Sequence, residues 1–183
     1  KGDFKDWFGR MGETYIVNYS KYSNKVDKAE IIGNTKSDGF VVLNADDSFF
    51  NLHKKIAYKK NLKVISFGVR SQKSNIKLVS IKRERSYFRI NIKAYKSKKY
   101  FLVSNDFQSN IYNILTVLSV ISIYRDIFKL DKNTFLNFHT PMGRGDYSKI
   151  RINNKYINLI DESYNSNPLS LKSAILNYDK INT

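Results

Sequence analysis

Cysteine is absent from this 183-residue chain. That excludes a disulfide framework and any thiolate zinc site. The two histidines, His53 and His139, lie far apart in sequence, which argues against a His-rich metal site. No charged segment followed by a short apolar run opens the sequence, so no signal peptide is expected. The longest apolar stretch, Ile111 to Ile123, is too short to span a bilayer and carries Asn113, Thr116, Ser119 and Ser122. A soluble, cytoplasmic protein with no membrane partner is the expectation. Internal repeats and low-complexity tracts are also missing. So is the phosphate-binding signature Gly-x-x-x-x-Gly-Lys-Ser/Thr.

Positive charge is abundant. With 32 Lys and Arg against 16 Asp and Glu, the formal net charge is +16. Such a balance raises the prospect of a polyanionic partner. Yet there is no basic arm, zinc finger or RNA-recognition aromatic motif, and lysines occur in nearly every segment. Charge alone therefore does not assign a nucleic-acid partner. A solvated lysine-rich surface explains the same composition.

The length suits one domain, or one domain and part of another. A chain of this size buries roughly 70% of its unfolded surface, enough for a real core. Gly39-Phe40-Val41-Val42-Leu43-Asn44 reads as a buried strand opened by a glycine turn. Ala45-Asp46-Asp47-Ser48 then supplies a helix-start signal, and Phe49 to Tyr58 has helical spacing. Leu62 to Phe67 reads as a second buried strand. Strand, helix, strand is a βαβ unit and implies a parallel sheet. Ile76 to Ile81, Tyr87 to Tyr95 and Tyr100 to Ser104 have strand character. The alternation in Phe88-Arg89-Ile90-Asn91-Ile92 suits a half-exposed antiparallel strand, so a small antiparallel sheet is expected beside the parallel one. Lys25 to Ile32, Asn110 to Phe128 and Leu130 to Phe138 are expected as helices. The second of these is apolar nearly all round and should be buried. Pro141 marks a break.

The most informative run lies beyond that break. Tyr156 to Ile160 is a short apolar strand, and Asp161-Glu162-Ser163-Tyr164-Asn165-Ser166-Asn167-Pro168 follows it. Asn167 and Pro168 fit the cap and first position of a helix over Leu169 to Tyr178. Acidic residues at a strand end, leading into a helix start, occur where α/β proteins hold nucleotides. Gly143-Arg144-Gly145 lies just upstream. Together these segments resemble the linker and C-terminal-domain entry of the Mur ligases. The usual form there is Gly-Arg, a strand, then Asp-Asp-Ser-Tyr-Asn-Ala-Asn-Pro, so this chain departs at Glu162 and Ser166. The form is most similar to that of members adding D-alanyl-D-alanine to UDP-muramyl tripeptide.

The resemblance extends upstream. Lys28-Ala29-Glu30-Ile31 matches a family segment whose lysine is carbamylated and helps hold Mg2+. Asn44-Ala45-Asp46-Asp47 follows at family-like spacing. Asn110 and Asn113 match an Asn-x-x-Asn that faces adenine, since two amides at i and i+3 share a helix face. Helix capping would explain the same pair. Arg144 matches an arginine aimed at ATP phosphates, for which a guanidinium fork is well shaped. Glu162 takes the place of a carboxylate that meets the ribose, with Asp161 before it. Asn165 is expected to fix the loop.

The resemblance implies a truncated central domain over residues 1–139 and the start of a Rossmann-like C-terminal domain over 140–183. It also implies ATP and Mg2+ as cofactors. The implied reaction is ATP-dependent amide-bond formation: a carboxylate attacks the γ-phosphate, and an amine displaces phosphate from the acyl phosphate. The family's phosphate loop would precede residue 1. Its metal-binding histidine would fall near Asn18 to Asn24, where no histidine stands. The chain alone is therefore expected to be inactive, with a separately encoded remainder as a possible partner. A basic nucleotide- or nucleic-acid-binding module, or a non-functional remnant, is the alternative.

Overall fold

The computed structural model describes residues 14–17, 32–104, 111–138, 143, 146–161, 163 and 175. The chain divides into two compact units, Lys1–Asn137 and Phe138–Thr183.

In the first unit one six-stranded sheet runs in sequence order. Its strands are β1 (Thr14–Val17), β2 (Phe40–Asn44), β3 (Lys63–Gly68), β4 (Ile76–Arg83), β5 (Tyr87–Ala94) and β6 (Ser97–Ser104). Strands β1 to β4 are parallel, and β4, β5 and β6 are antiparallel. The mixed α/β fold expected from the sequence is therefore present. Its antiparallel strands continue the parallel sheet through the short β3–β4 pairing, at Phe67↔Ile76 and Gly68↔Lys77.

Two helices take opposite faces. Helix α1 (Phe50–Lys59) turns His53 and Ala57 inward. It packs in a cluster with Ile32, Val41, Leu43 and Leu62. Helix α2 (Ile111–Tyr124) buries Ile114, Leu115 and Leu118 against Val42, Phe67, Ile90, Ile92, Phe101 and Val103. Strand β2 is apolar at nearly every position because both its faces are covered. Strand β5 alternates because only one of its faces meets α2.

The turn from α1 into β3 has a clear cause. Asn61 adopts φ 59°, and Leu62 N–H donates to Ala57 C=O while Asn61 N–H donates to Tyr58 C=O. That is a Schellman closure with asparagine in the left-handed position. The Asn61 amide also donates to Asp38 Oδ1 at 2.8 Å.

Three sequence expectations need correction. The helix expected over Asn110 to Phe128 ends at Tyr124, and a single 3-10 turn, Ile127–Lys129, follows. Asp126 causes the break: its side chain accepts from Phe128 N–H at 2.9 Å and starts the turn. The short helix expected over Leu130 to Phe138 is instead a series of turns. Within it Phe135 bridges Val103 and buries its ring edge-on to Phe101. At the start of α1 the N-cap position falls on Phe49, which has no side-chain cap hydrogen bond to offer, and Asp47 Oδ1 accepts from Phe49 N–H at 2.6 Å. The expected helices at Lys25 to Ile32 and Leu169 to Tyr178 lie outside the described residues, apart from helical Ile32 and Ile175.

In the second unit, Tyr156 to Ile160 is a strand as expected, but one half of a hairpin. Strand β7 (Asp146–Ile152) pairs antiparallel with β8 (Lys155–Asp161). Asn153 and Asn154, with φ 47° and 61°, form its two-residue turn. Two consecutive positive φ values fit the type I′ geometry that matches strand twist.

Candidate functional site at the carboxyl end of the parallel strands

In α/β sheets ligands gather beyond the carboxyl ends of the parallel strands. Here that edge is organised by one carboxylate, Asp46, two residues past β2. Asn44, buried at the strand end, accepts from Asp46 N–H through Oδ1 at 2.9 Å. Ala45 N–H donates to Phe67 C=O at 2.7 Å, which ties the same loop to β3. The Asp46 side chain then turns toward the segment leaving β3. Its Oδ2 accepts from Val69 N–H at 2.6 Å and Arg70 N–H at 3.0 Å, and its Oδ1 accepts from Ser71 N–H at 2.6 Å. Tyr112 Oη, on the first turn of α2, donates to Asp46 Oδ2 at 3.0 Å. One side chain thus joins β2, β3 and α2.

Gly68 makes this approach possible. A Cβ at that position would lie 3.1 Å from Asp46 Oδ1 and 3.2 Å from Ser71 Cβ. Both are tighter than ordinary van der Waals contact.

Partial burial disfavours the Asp46 anion, but the N–H groups of Arg70, Val69 and Ser71 and the Tyr112 hydroxyl outweigh it. The net effect holds the carboxyl below its ordinary value. Burial and the neighbouring Asp46 anion push the Tyr112 hydroxyl up. Asp46 is therefore a fixed anion with its lone pairs already engaged. Such a group builds a site. It is poorly placed to accept a proton from substrate or to ligate a metal. Among the described residues no three His, Cys, Asp or Glu side chains gather as a metal site.

The residues expected to contact nucleotide fall as follows. Asn113 is described, exposed on the first turn of α2 and adjacent to Tyr112. Asp161 ends β8 in the second unit, and its Oδ1 accepts from Ser163 N–H at 2.9 Å. Hydrogen bonds from the Ser163 side chain and backbone hold its carboxyl below the ordinary value. Lys28, Asn110, Arg144, Glu162 and Asn165 lie outside the described residues. Sequence reasoning quoted Asp46 within a helix-start signal and as a spacing marker, and passed over Tyr112. The signal was available: an acid two residues past a buried strand, and a tyrosine between two asparagines at a helix start.

The layout is that of an α/β protein with its polar machinery at the carboxyl edge of a mixed sheet. The Mur ligase middle domain family matches residues 17–121, more than half of the chain. The chain belongs to the Mur ligase family.

Solved structures share the fold. A UDP-N-acetylmuramoylalanyl-D-glutamyl-2,6-diaminopimelate--D-alanyl-D-alanyl ligase from Acinetobacter baumannii aligns with a TM-score of 0.60 at 16% identity, over 81% of this chain and 31% of its own. MurF from Acinetobacter baumannii, in a second crystal structure, gives 0.63 at 13% identity, over 88% of this chain and 35% of its own. MurF from Thermotoga maritima, solved with ADP, gives 0.57 at 21% identity, over 81% and 33%. The chain spans about a third of the length of these structures. No curated protein matches it. No described helix is long and apolar enough to cross a membrane.

Proposed function

We propose that this chain is the middle section of a cytoplasmic ATP-dependent ligase of peptidoglycan precursor synthesis. The amide bond formed joins D-alanyl-D-alanine to UDP-muramyl tripeptide. The observation that carries this reading is the middle-domain match over residues 17–121. The likeness in fold to MurF structures, one of them holding ADP, supports it.

The chemistry would run through an acyl phosphate. The tripeptide carboxylate attacks the γ-phosphate of ATP, ADP leaves, and the dipeptide amine then displaces phosphate with loss of a proton. In this chain Asn110 and Asn113, at the start of α2, would face the adenine. Arg144 would meet phosphate oxygens, Asp161 and Glu162 the ribose, and Asn165 would hold their loop. Asp46 and Tyr112 would fix the loop after β3 and the start of α2, so that Asn113 stays aimed. Lys28, if carbamylated, would contribute an oxygen ligand to Mg2+, a hard cation that neutralises charge during phosphoryl transfer. The described residues supply no set of ligands for that ion.

The chain contains no phosphate-cradling loop. Positioning carries most of phosphoryl-transfer catalysis, so the chain alone should not ligate. The test measures phosphate release with ATP, UDP-muramyl tripeptide and D-alanyl-D-alanine. It compares the chain alone with the chain mixed with the products of its neighbouring reading frames. Release in the mixture that needs both substrates supports the reading. Ligation by the chain alone contradicts the expected dependence, and silence in the mixture contradicts a split ligase.

A further inference from the structure

The positive charge of this protein is concentrated in one stretch. Between Ser48 and Asn105 stand 16 Lys and Arg against a single acid, Glu84. The rest of the chain carries the other 16 basic residues against 15 acids, so this stretch holds nearly all of the +16. It comprises α1 and strands β3 to β6.

The fold then places most of the strand charge on one side. Helix α2 covers the face bearing Phe67, Ile76, Ile90, Ile92 and Phe101. Side chains alternate along a strand, so the intervening residues of β4 to β6 point to the other face, the one on which α1 packs beside Val41, Leu43 and Val64. On that face Lys77 pairs with Lys93, and Lys93 with Lys98, in register across three strands. Beyond the β4 irregularity Lys82 faces Arg89. No described helix lies across this part of the sheet.

A row of three lysines in adjacent strands is unfavourable for folding, because like charges sit directly opposite each other. The geometry gives them a use. Neighbouring strands are about 4.8 Å apart, and same-face residues along a strand about 7 Å apart. The result is a flat lattice of cations about one to two phosphate spacings apart. On the same side of the sheet, over β2 and β3, α1 carries Lys54, Lys55 and Lys59 around Tyr58. Tyr58 is 58% exposed, and Tyr95, in the turn two residues past Lys93, is 51% exposed. Flat cationic surfaces with accessible aromatic rings suit a chain of phosphates carrying free bases. An acidic peptide would use the lysines and leave the rings idle. A duplex would meet the lysines through its phosphates but keep its bases stacked and paired, leaving the rings idle.

We propose that the α1 side of β4–β6 binds single-stranded nucleic acid, with Lys77, Lys93 and Lys98 on the phosphates and Tyr95 stacking on a base. This surface starts at Lys77, paired with Gly68 beside the carboxyl edge that carries Asp46, and extends away from it across β5 and β6.

The test titrates the full chain into a fluorescein-labelled 16-nucleotide oligo-U over a range of NaCl concentrations. Replacing Lys77, Lys93 and Lys98 by Gln should lower the slope of log affinity against log salt by about 2, at about 0.7 per phosphate contact for single strands. Tyr95→Asn, which suits the φ of 53° at that turn, should weaken binding about tenfold. A control replacing Lys129, Lys132 and Lys155 by Gln makes the same charge change elsewhere and should leave most of the slope. Circular dichroism and thermal unfolding verify that each variant is folded. The proposal is overturned if the chain does not bind at 50 mM NaCl, or if the control variant loses as much slope as the sheet variant. It is also overturned if a polyglutamate of equal charge binds as tightly as oligo-U, which would mark a surface for acidic protein instead.

Discussion

Tyr112 Oη donates to Asp46 Oδ2 across 3.0 Å, joining the first turn of α2 to the loop that leaves β2. The same carboxylate holds three successive backbone N–H groups of residues 69–71. Removing the two partners should have unequal effects. Asp46→Ala strands three N–H groups and should destabilise the fold by about 2–4 kcal/mol, whereas Tyr112→Phe loses one hydrogen bond and should cost about 1 kcal/mol. Urea unfolding measures both. In the double variant the Tyr112→Phe effect should nearly vanish, since its partner is already gone.

The same pair sets a pH dependence with two signs. The folded Asp46 carboxyl titrates below its ordinary value, so its stabilising contribution is full above the unfolded value near 3.8 and is lost as pH falls through the folded one. Tyr112 is shifted up, so its contribution is full below the unfolded value near 10 and is lost as pH rises through the folded one. Asp46→Asn should flatten the acid limb of a stability profile below pH 4, and Tyr112→Phe the alkaline limb above pH 10. Unchanged limbs in both variants would show that other groups set them.

Gly68→Ala should be destabilising by about 1–3 kcal/mol, because the added methyl meets Asp46 and Ser71 at 3.1–3.2 Å. Asp46 cannot easily yield, since four hydrogen-bond donors fix it. Combining Gly68→Ala with Asp46→Ala should recover part of that loss. A thermal melt of the three variants decides the point, and strictly additive effects would remove the steric explanation.

Lys93 sits between Lys77 and Lys98. Lys93→Glu should stabilise the protein by about 0.5–1 kcal/mol by turning two repulsions into attractions. The gain should shrink toward zero at 1 M NaCl, where screening acts within about 3 Å. A gain that survives high salt would point to packing or strand propensity instead.

Much of this fold was legible because its periods are clear. The apolar run at Phe40 to Asn44 and the alternation at Phe88 to Ile92 could belong only to a two-faced buried strand and a one-faced strand. Less visible was the role of single polar side chains. Asp126 ends α2 early, Asn61 closes α1, and Asn153-Asn154 makes a tight hairpin. Each acts through a local hydrogen bond or a left-handed backbone that hydrophobic spacing does not register. Leu130 to Phe138 has helix-like apolar spacing, but Phe135 is claimed by Val103 and Phe101 across the sheet edge. Asn113 and Asp161 were named from the sequence; the structure places Asn113 exposed on the first turn of α2 and Asp161 at the end of β8. Asp46 was in plain view but gained its role only when β3 and α2 converged on it. That most of the strand charge falls on one side of the sheet needed the strand register.

The most direct measurement is photolabelling of the protein, together with the products of its neighbouring reading frames, by 8-azido-ATP, followed by peptide mapping. Label on the peptide spanning Asn110 and Asn113, displaced by ATP and reduced at least fivefold by Asn113→Ala, is the predicted result. Label confined to the lysine-rich strands β4–β6, insensitive to Asn113→Ala, would contradict a ligase nucleotide site at the start of α2.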